Sequence, residues 1–211
     1  MLSKGLAAVF FMLAPISHAS SVVYNVFIDT SSQSGNSGAI YFQFAGGLNA
    51  DLASVTIDPF SIGAPGALSA APAPFSDGGV TGSLDSLPLT IDNSGGLNDY
   101  EHYLTYGSNL RFQVTFNLPS VLTGSSGSEL LWQLTADDGI TPILTQDGSG
   151  NIGTISYDTS AAFTVDKLGN DGIETIGAQV PEPASLSLAA LATLLLGVAS
   201  LSRRRNNRVR G

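Results

Sequence analysis

Hydrophobic and polar positions alternate one by one through much of this chain. The clearest case is RFQVTFNL, residues 111–118. Phe112, Val114, Phe116 and Leu118 fall on one side of an extended backbone, and Arg111, Gln113, Thr115 and Asn117 on the other. A period of two marks a strand with one buried face. AIYFQF repeats the pattern with Ile40, Phe42 and Phe44 inward, and LLWQLTA with Leu130, Trp132 and Leu134. VVYNVFID reads as a fourth strand, and shorter candidates cover residues 54–57, 87–92, 100–106, 152–157 and 162–165. Gly, Asn, Asp and Ser fill the intervals at hairpin-like spacing. No helical period appears before the C-terminal apolar run. About eight to ten short strands predict an all-β, antiparallel β-sandwich, jelly-roll-like in its wiring. One stretch breaks the rhythm: residues 59–79, PFSIGAPGALSAAPAPFSDGG, hold four of the ten prolines. They are expected to form a long surface loop, with Phe60, Ile62 and Phe75 tacked to the sandwich.

Two segments depart from this pattern altogether. At the start, Lys4 precedes an apolar run over residues 5–16 that is too short to span a bilayer, and Ser17-His18-Ala19 satisfies the small-x-small rule. This predicts a signal peptide over residues 1–19, cut between Ala19 and Ser20. At the end, residues 184–201 carry no charge. As a helix they would extend about 27 Å, enough to cross a hydrocarbon core. Pro183 can open that helix, because the first helical N–H has no intrahelical partner. The expected transmembrane helix therefore covers residues 183–201. Pro181-Glu182-Pro183 should stand before it as a rigid extended stub. Arg203, Arg204, Arg205, Arg208 and Arg210 follow it, and an arginine cluster favours the cytoplasmic side. Both ends agree on one topology, with residues 20–180 sent outward.

Composition sharpens the picture of that cargo. The whole chain has a formal net charge of −9. Residues 20–180 contain only Arg111 and Lys167 against 13 Asp and 3 Glu, a net of −14. Such a domain repels phosphate backbones, so nucleic-acid binding is excluded as its work. Cysteine is absent, which removes disulfides, thiolate metal sites and cysteine nucleophiles together. The domain must hold by its core alone, and about 160 residues suffice to bury one.

The signal peptide, the Pro181-Glu182-Pro183 stub, the single apolar span and the stop signal Arg203-Arg204-Arg205 together resemble the PEP-CTERM sorting architecture of Gram-negative bacteria. The likeness covers residues 181–211 and the leader. It implies export through the Sec translocon, cleavage by signal peptidase and an inner-membrane intermediate. An exosortase, a sorting enzyme found with exopolysaccharide production, would then recognise Pro181, Glu182 and Pro183. The final destination would be the cell surface or extracellular matrix. YNVFIDTSSQSGNSGAIYFQF also resembles the opening strands of one recurring PEP-CTERM ectodomain type, whose role is undefined, so this second likeness implies no activity.

Candidate chemistry in residues 20–180 is sparse. His18 belongs to the leader, which leaves His102, and no serine sits in a Gly-x-Ser-x-Gly elbow. A hydrogen-bonded or solvent-facing role fits His102 better than catalysis. Gly148, Gly150 and Gly153 match the letters of a dinucleotide fingerprint, but a strand rather than a helix follows, so QDGSGNIG is expected to be a hairpin loop. Asp147, Ser149 and Asn151 alternate as oxygen donors, a partial calcium loop. It lacks Gly at its sixth position (Ile152) and Glu at its twelfth (Asp158). Asp137-Asp138-Gly139 and Asn170-Asp171-Gly172 are similar, and Ca²⁺ is the one cofactor the sequence suggests. The alternative is that these are turn residues. Tyr100, His102, Leu104 and Tyr106 share one face of a strand, with Tyr103 opposite. Exposed tyrosines there would stack on sugar rings, whereas buried ones would be core. Glu101 and other carboxylates offer a glycosidase pair only if two stand across a cleft at a set separation. The expectation is a non-enzymatic protein with a structural or adhesive role in an exopolysaccharide-associated matrix. A carbohydrate-binding module is the alternative, and a matrix-glycan hydrolase the next.

Overall fold

The computed structural model describes residues 21–86 and 88–179. The expected leader with its Ala19–Ser20 cut, the Pro181-Glu182-Pro183 stub, the apolar span and Arg203–Arg205 all lie outside the described residues. What is described is all-β apart from one short 3-10 turn, Ser31–Gln33, and every strand pairing is antiparallel.

The chain alternates between two sheets. β1 (Ser21–Asp29) lies in the first and β2 (Ser37–Gly46) in the second; β3 (Ser54–Ile62) returns to the first. Three short strands follow: β4 (Ala67–Leu68), β5 (Phe75–Asp77) and β6 (Val80–Thr81). β7 (Leu89–Asp92) and β9 (Asn109–Asn117) join the first sheet, with β8 (Asp99–Thr105) in the second between them in sequence. β10 (Ser128–Thr135), β11 (Asn151–Tyr157) and β12 (Phe163–Lys167) build the rest of the second sheet, and β13 (Glu174–Gln179) closes the first. The spatial orders are β13-β1-β9-β3-β7-β6 and β12-β11-β10-β2-β8-β4, with β5 also pairing with β8.

The alternation in sequence becomes the core. Tyr24, Val26 and Ile28 of β1 and Phe112, Val114 and Phe116 of β9 point inward from one sheet; Ile40, Phe42 and Phe44 of β2 and Leu130, Trp132 and Leu134 of β10 meet them from the other. Burying each such side chain contributes roughly 1.5–3 kcal/mol, the main stabilising term for a domain without disulfides. The aromatic rings meet edge to face: Phe42 on Phe112 at 5.3 Å and 88°, and Phe112 on Trp132 at 5.7 Å and 86°. That geometry sets ring edges against the electron-rich faces. Gly153 pairs with Trp132, and a Cβ there would stand 2.5 Å from the indole Cζ2, so only glycine leaves room for the ring.

Residues 59–79 are less of a loop than their prolines suggest. β3 continues through Pro59 to Ile62, with a bulge between Ile57 and Phe60, and Phe60 stacks on Phe112 at 6.2 Å. Phe60 and Ile62 pack on the core as expected, but Phe75 is 55% exposed. The rest of the stretch folds back as β4 and β5 along β8. QDGSGNIG closes the hairpin connection between β10 and β11, as expected, although that connection begins as far back as Ala136: Gly150 donates to the Asp147 carbonyl and β11 starts at Asn151.

Candidate binding face

The face shared by Tyr100, His102, Leu104 and Tyr106 is the inner one. Tyr100 and Tyr106 are 1% and 0% exposed, so they are core and unavailable to a sugar ring; this corrects the reading of the strand as a tyrosine platform. Burial pushes both phenols up from their ordinary pKa. The Tyr106 hydroxyl lies 2.9 Å from the Ala39 carbonyl and 2.7 Å from that of Thr135 and donates to them. His102 is buried and fully engaged. Its Nε2 donates to the Ser69 carbonyl at 3.1 Å, which makes Nδ1 an acceptor for the Tyr100 hydroxyl at 2.8 Å. The Tyr100 oxygen in turn accepts from the Leu84 N–H and from the Ser83 hydroxyl. The chain of bonds ties residues 69 and 83–84 onto β8. Tyr103 is the half-buried aromatic of the opposite face, with Gly139 lying over its hydroxyl.

The acidic loops are built as turns. Asp138 accepts from the N–H groups of Ile140 and Thr141 and from the Thr141 hydroxyl, and these bonds hold its carboxyl below the usual range. Asp147 accepts from the Ser149 N–H and hydroxyl, and Asn151 Oδ1 accepts from Gln133 Nε2. Asp137 is exposed beside them. Among the described residues, no group of three His, Asp or Glu side chains is placed to hold a metal ion.

Two features escape a reading of the sequence. The first is Glu174, on the inner side of β13. Trp132 Nε1 donates to its Oε1 at 2.9 Å, while Oε2 is buried with no partner. Burial pushes this carboxyl up to about 8, against the Trp132 hydrogen bond and nearby Lys167, which pull it down. Nothing in ETIGAQ marks the glutamate as buried, because the strand carries little hydrophobic alternation.

The second is a shallow groove of about 510 Å³ on the outer face of the first sheet. The period of two puts it there: the residues between the core positions of β1, β9 and β13 share the outer side. Register sets Phe27 beside both Arg111 and Thr175, and Asn25 beside both Gln113 and Gly177. Ser61 stands next to Arg111 from β3, and the bulge brings Pro59 to the rim. The Arg111 guanidinium lies 4.9 Å over the Phe27 ring and its Nε donates to Asn109 Oδ1 at 3.2 Å. Gln113 Nε2 donates to Asn25 Oδ1 and to Gln179 Oε1 at 3.1 and 3.2 Å. Gly177 leaves open space where a side chain would stand. The result is a hollow with a planar cation, an aromatic ring and a row of amides. None of the family models, curated proteins or solved structures compared with this chain matches it.

Proposed function

We propose that this is an exported, exosortase-sorted protein of the cell surface or extracellular matrix, with a structural or adhesive role and no enzymatic one. The observation that supports this reading is that a disulfide-free, all-β, strongly acidic domain lies between the two terminal signals. β1 begins at Ser21 and β13 ends at Gln179, and the two pair with Val23 opposite Gln179. Both sheets are built within residues 21–179, which fall inside the cargo that the expected leader and the Pro181-Glu182-Pro183 stub would bound. The repeated crossing of the chain between its two sheets fits a jelly-roll-like wiring. Its acidic surface would bridge, through divalent cations such as Ca²⁺, to anionic polysaccharide or to other copies.

A glycan hydrolase is the poorer reading. Burial raises the carboxyls of Glu101 and Glu129 on the outer face of the second sheet. They pair with Tyr41 and Ala45 of the intervening β2. Two strand spacings and four residues of offset put them about 16 Å apart, beyond the separation of about 5–9.5 Å that glycosidase pairs use.

Mass spectrometry of the protein recovered from the cell surface or medium tests the proposal. The expected chain begins at Ser20 and lacks Arg203–Arg205. Intact Arg203–Arg205 on surface protein would replace sorting by a plain membrane anchor, and a cytosolic chain retaining Met1 would end the proposal.

A further inference from the structure

We propose that the groove on the outer face of the first sheet binds a polysaccharide segment carrying a uronic-acid carboxylate. This deepens the matrix role above and rests on it.

The argument begins with charge. Arg111 and Lys167 are the sole cations between residues 20 and 180, against 16 carboxylates. Arg111 is exposed at the groove, its guanidinium over the Phe27 ring. Its Nε is used by Asn109, and its two terminal nitrogens have no hydrogen-bond partner among the described residues. A guanidinium seated over an aromatic ring, with its terminal nitrogens free of protein partners among the described residues, matches the two oxygens of a carboxylate. An acidic domain that sets its one arginine in a hollow selects an anionic group at that point and repels one elsewhere.

The rest of the surface fits hydroxyls. The bonds within the amide row use both N–H donors of Gln113 and engage the oxygens of Asn25 and Gln179. Gln113 Oε1 remains as an acceptor, and the Asn25 and Gln179 amide nitrogens remain as donors. Alternating donors and acceptors on a rigid pleat suit the ring hydroxyls of a sugar, and the exposed part of Phe27 offers an apolar patch for a ring face. The hollow at Gly177 gives the chain a way through.

The ladder itself argues against an acidic peptide. Peptides that join sheets use the free backbone groups of an edge strand. Here β1 is paired on both sides, to β13 and β9, and β9 is paired on both sides, to β1 and β3. Along β1 and β9 only side chains can read a ligand; β13, which also lines the groove, is the edge strand of its sheet, and the hexaglutamate probe tests pairing there.

The test is calorimetric titration of the full chain in mild detergent with EDTA present, so that cation bridging is suppressed. The probes are a galacturonic-acid hexamer, a neutral galactose hexamer and a hexaglutamate peptide. The galacturonate hexamer is expected to bind with a Kd below about 1 mM. Affinity should fall about tenfold or more in Arg111→Gln, which removes the charge, and to a similar extent in Gly177→Leu, which fills open space on an exposed strand. Both variants should keep the wild-type thermal melt. Equal binding of the neutral hexamer or of hexaglutamate would overturn the proposal. So would no binding of galacturonate, or binding unchanged in both variants. Failure here with surface protein correctly processed at both ends leaves the sorting proposal standing. A cytosolic chain retaining Met1 removes that proposal whatever the titration gives.

Discussion

At the scale of single residues, Glu174 is a buried carboxyl with one oxygen on the Trp132 indole and the other without a partner among the described residues. Its raised pKa has a definite sign in stability. Below its unfolded value of 4.5 the carboxyl is protonated in both states, and its contribution is complete. Between 4.5 and about 8 the native protein holds a proton that the unfolded chain releases, so stability falls as pH rises through that window and then levels off. Glu174→Gln keeps an acceptor for the Trp132 indole and removes the titration. The wild-type melting temperature is expected to fall more steeply than that of the variant between pH 5 and 8. Parallel profiles in a pH series of thermal melts would contradict the geometry. Residue-level reading of the sequence succeeded where alternation carried it: Ile40, Phe42, Trp132 and Phe112 are all in the core. It placed Tyr100, His102 and Tyr106 on one face correctly, but periodicity alone does not say which face of a strand meets water. The partner of Glu174 lies 42 positions away, beyond any local pattern.

At the scale of elements, the proline- and alanine-rich stretch has a structural task. β8 would otherwise be a bare edge of the second sheet, and an open edge is a template for pairing with another chain. β4 and β5 cover it in two short pieces, and the His102–Ser69 bond fastens the stretch between them. Ala67→Pro with Asp77→Pro would remove from each piece an N–H that faces β8. The double variant is expected to self-associate in proportion to concentration under size-exclusion light scattering, while the parent does not. A monomeric double variant at all concentrations would assign the cover no protective role. Strands with clean alternation were legible from sequence, as were their turns. β4, β5, β6 and β13 were not, because they are two to six residues long and mostly exposed, with no alternation to mark them. The continuation of β3 past Pro59 was hidden for a related reason: proline demotes a strand by rule, and a bulge is where a sheet tolerates it.

At the scale of the whole molecule, charge separates interior from exterior work. The fixed carboxylates of Asp138 and Asp147 are committed to turns, but much of the acidic surface remains free to meet cations in solution. Under the proposed bridging role, millimolar Ca²⁺ is expected to raise light scattering from the full chain mixed with a polyuronate. EDTA should reverse the rise, and NaCl of equal ionic strength should not reproduce it. An identical response to NaCl would reduce the effect to simple screening. The groove was invisible in the sequence at this scale. Its parts come from β1, β3, β9 and β13, and only the register of four strands puts Phe27, Arg111 and Gly177 side by side.

The pairing of β1 with β13 has a mechanical consequence. Because the first and last strands run side by side in opposite directions, the backbone enters and leaves the sandwich at one corner, near Ser21 and Gln179. A body attached there hangs like a pendant from a single point. The strand that carries Gly177 beside the groove is the one that ends at this corner, so under the proposed binding and sorting roles tension between a captured polymer and the cell would pass along β13 and its ladder to β1, with little of the load crossing the aromatic interior.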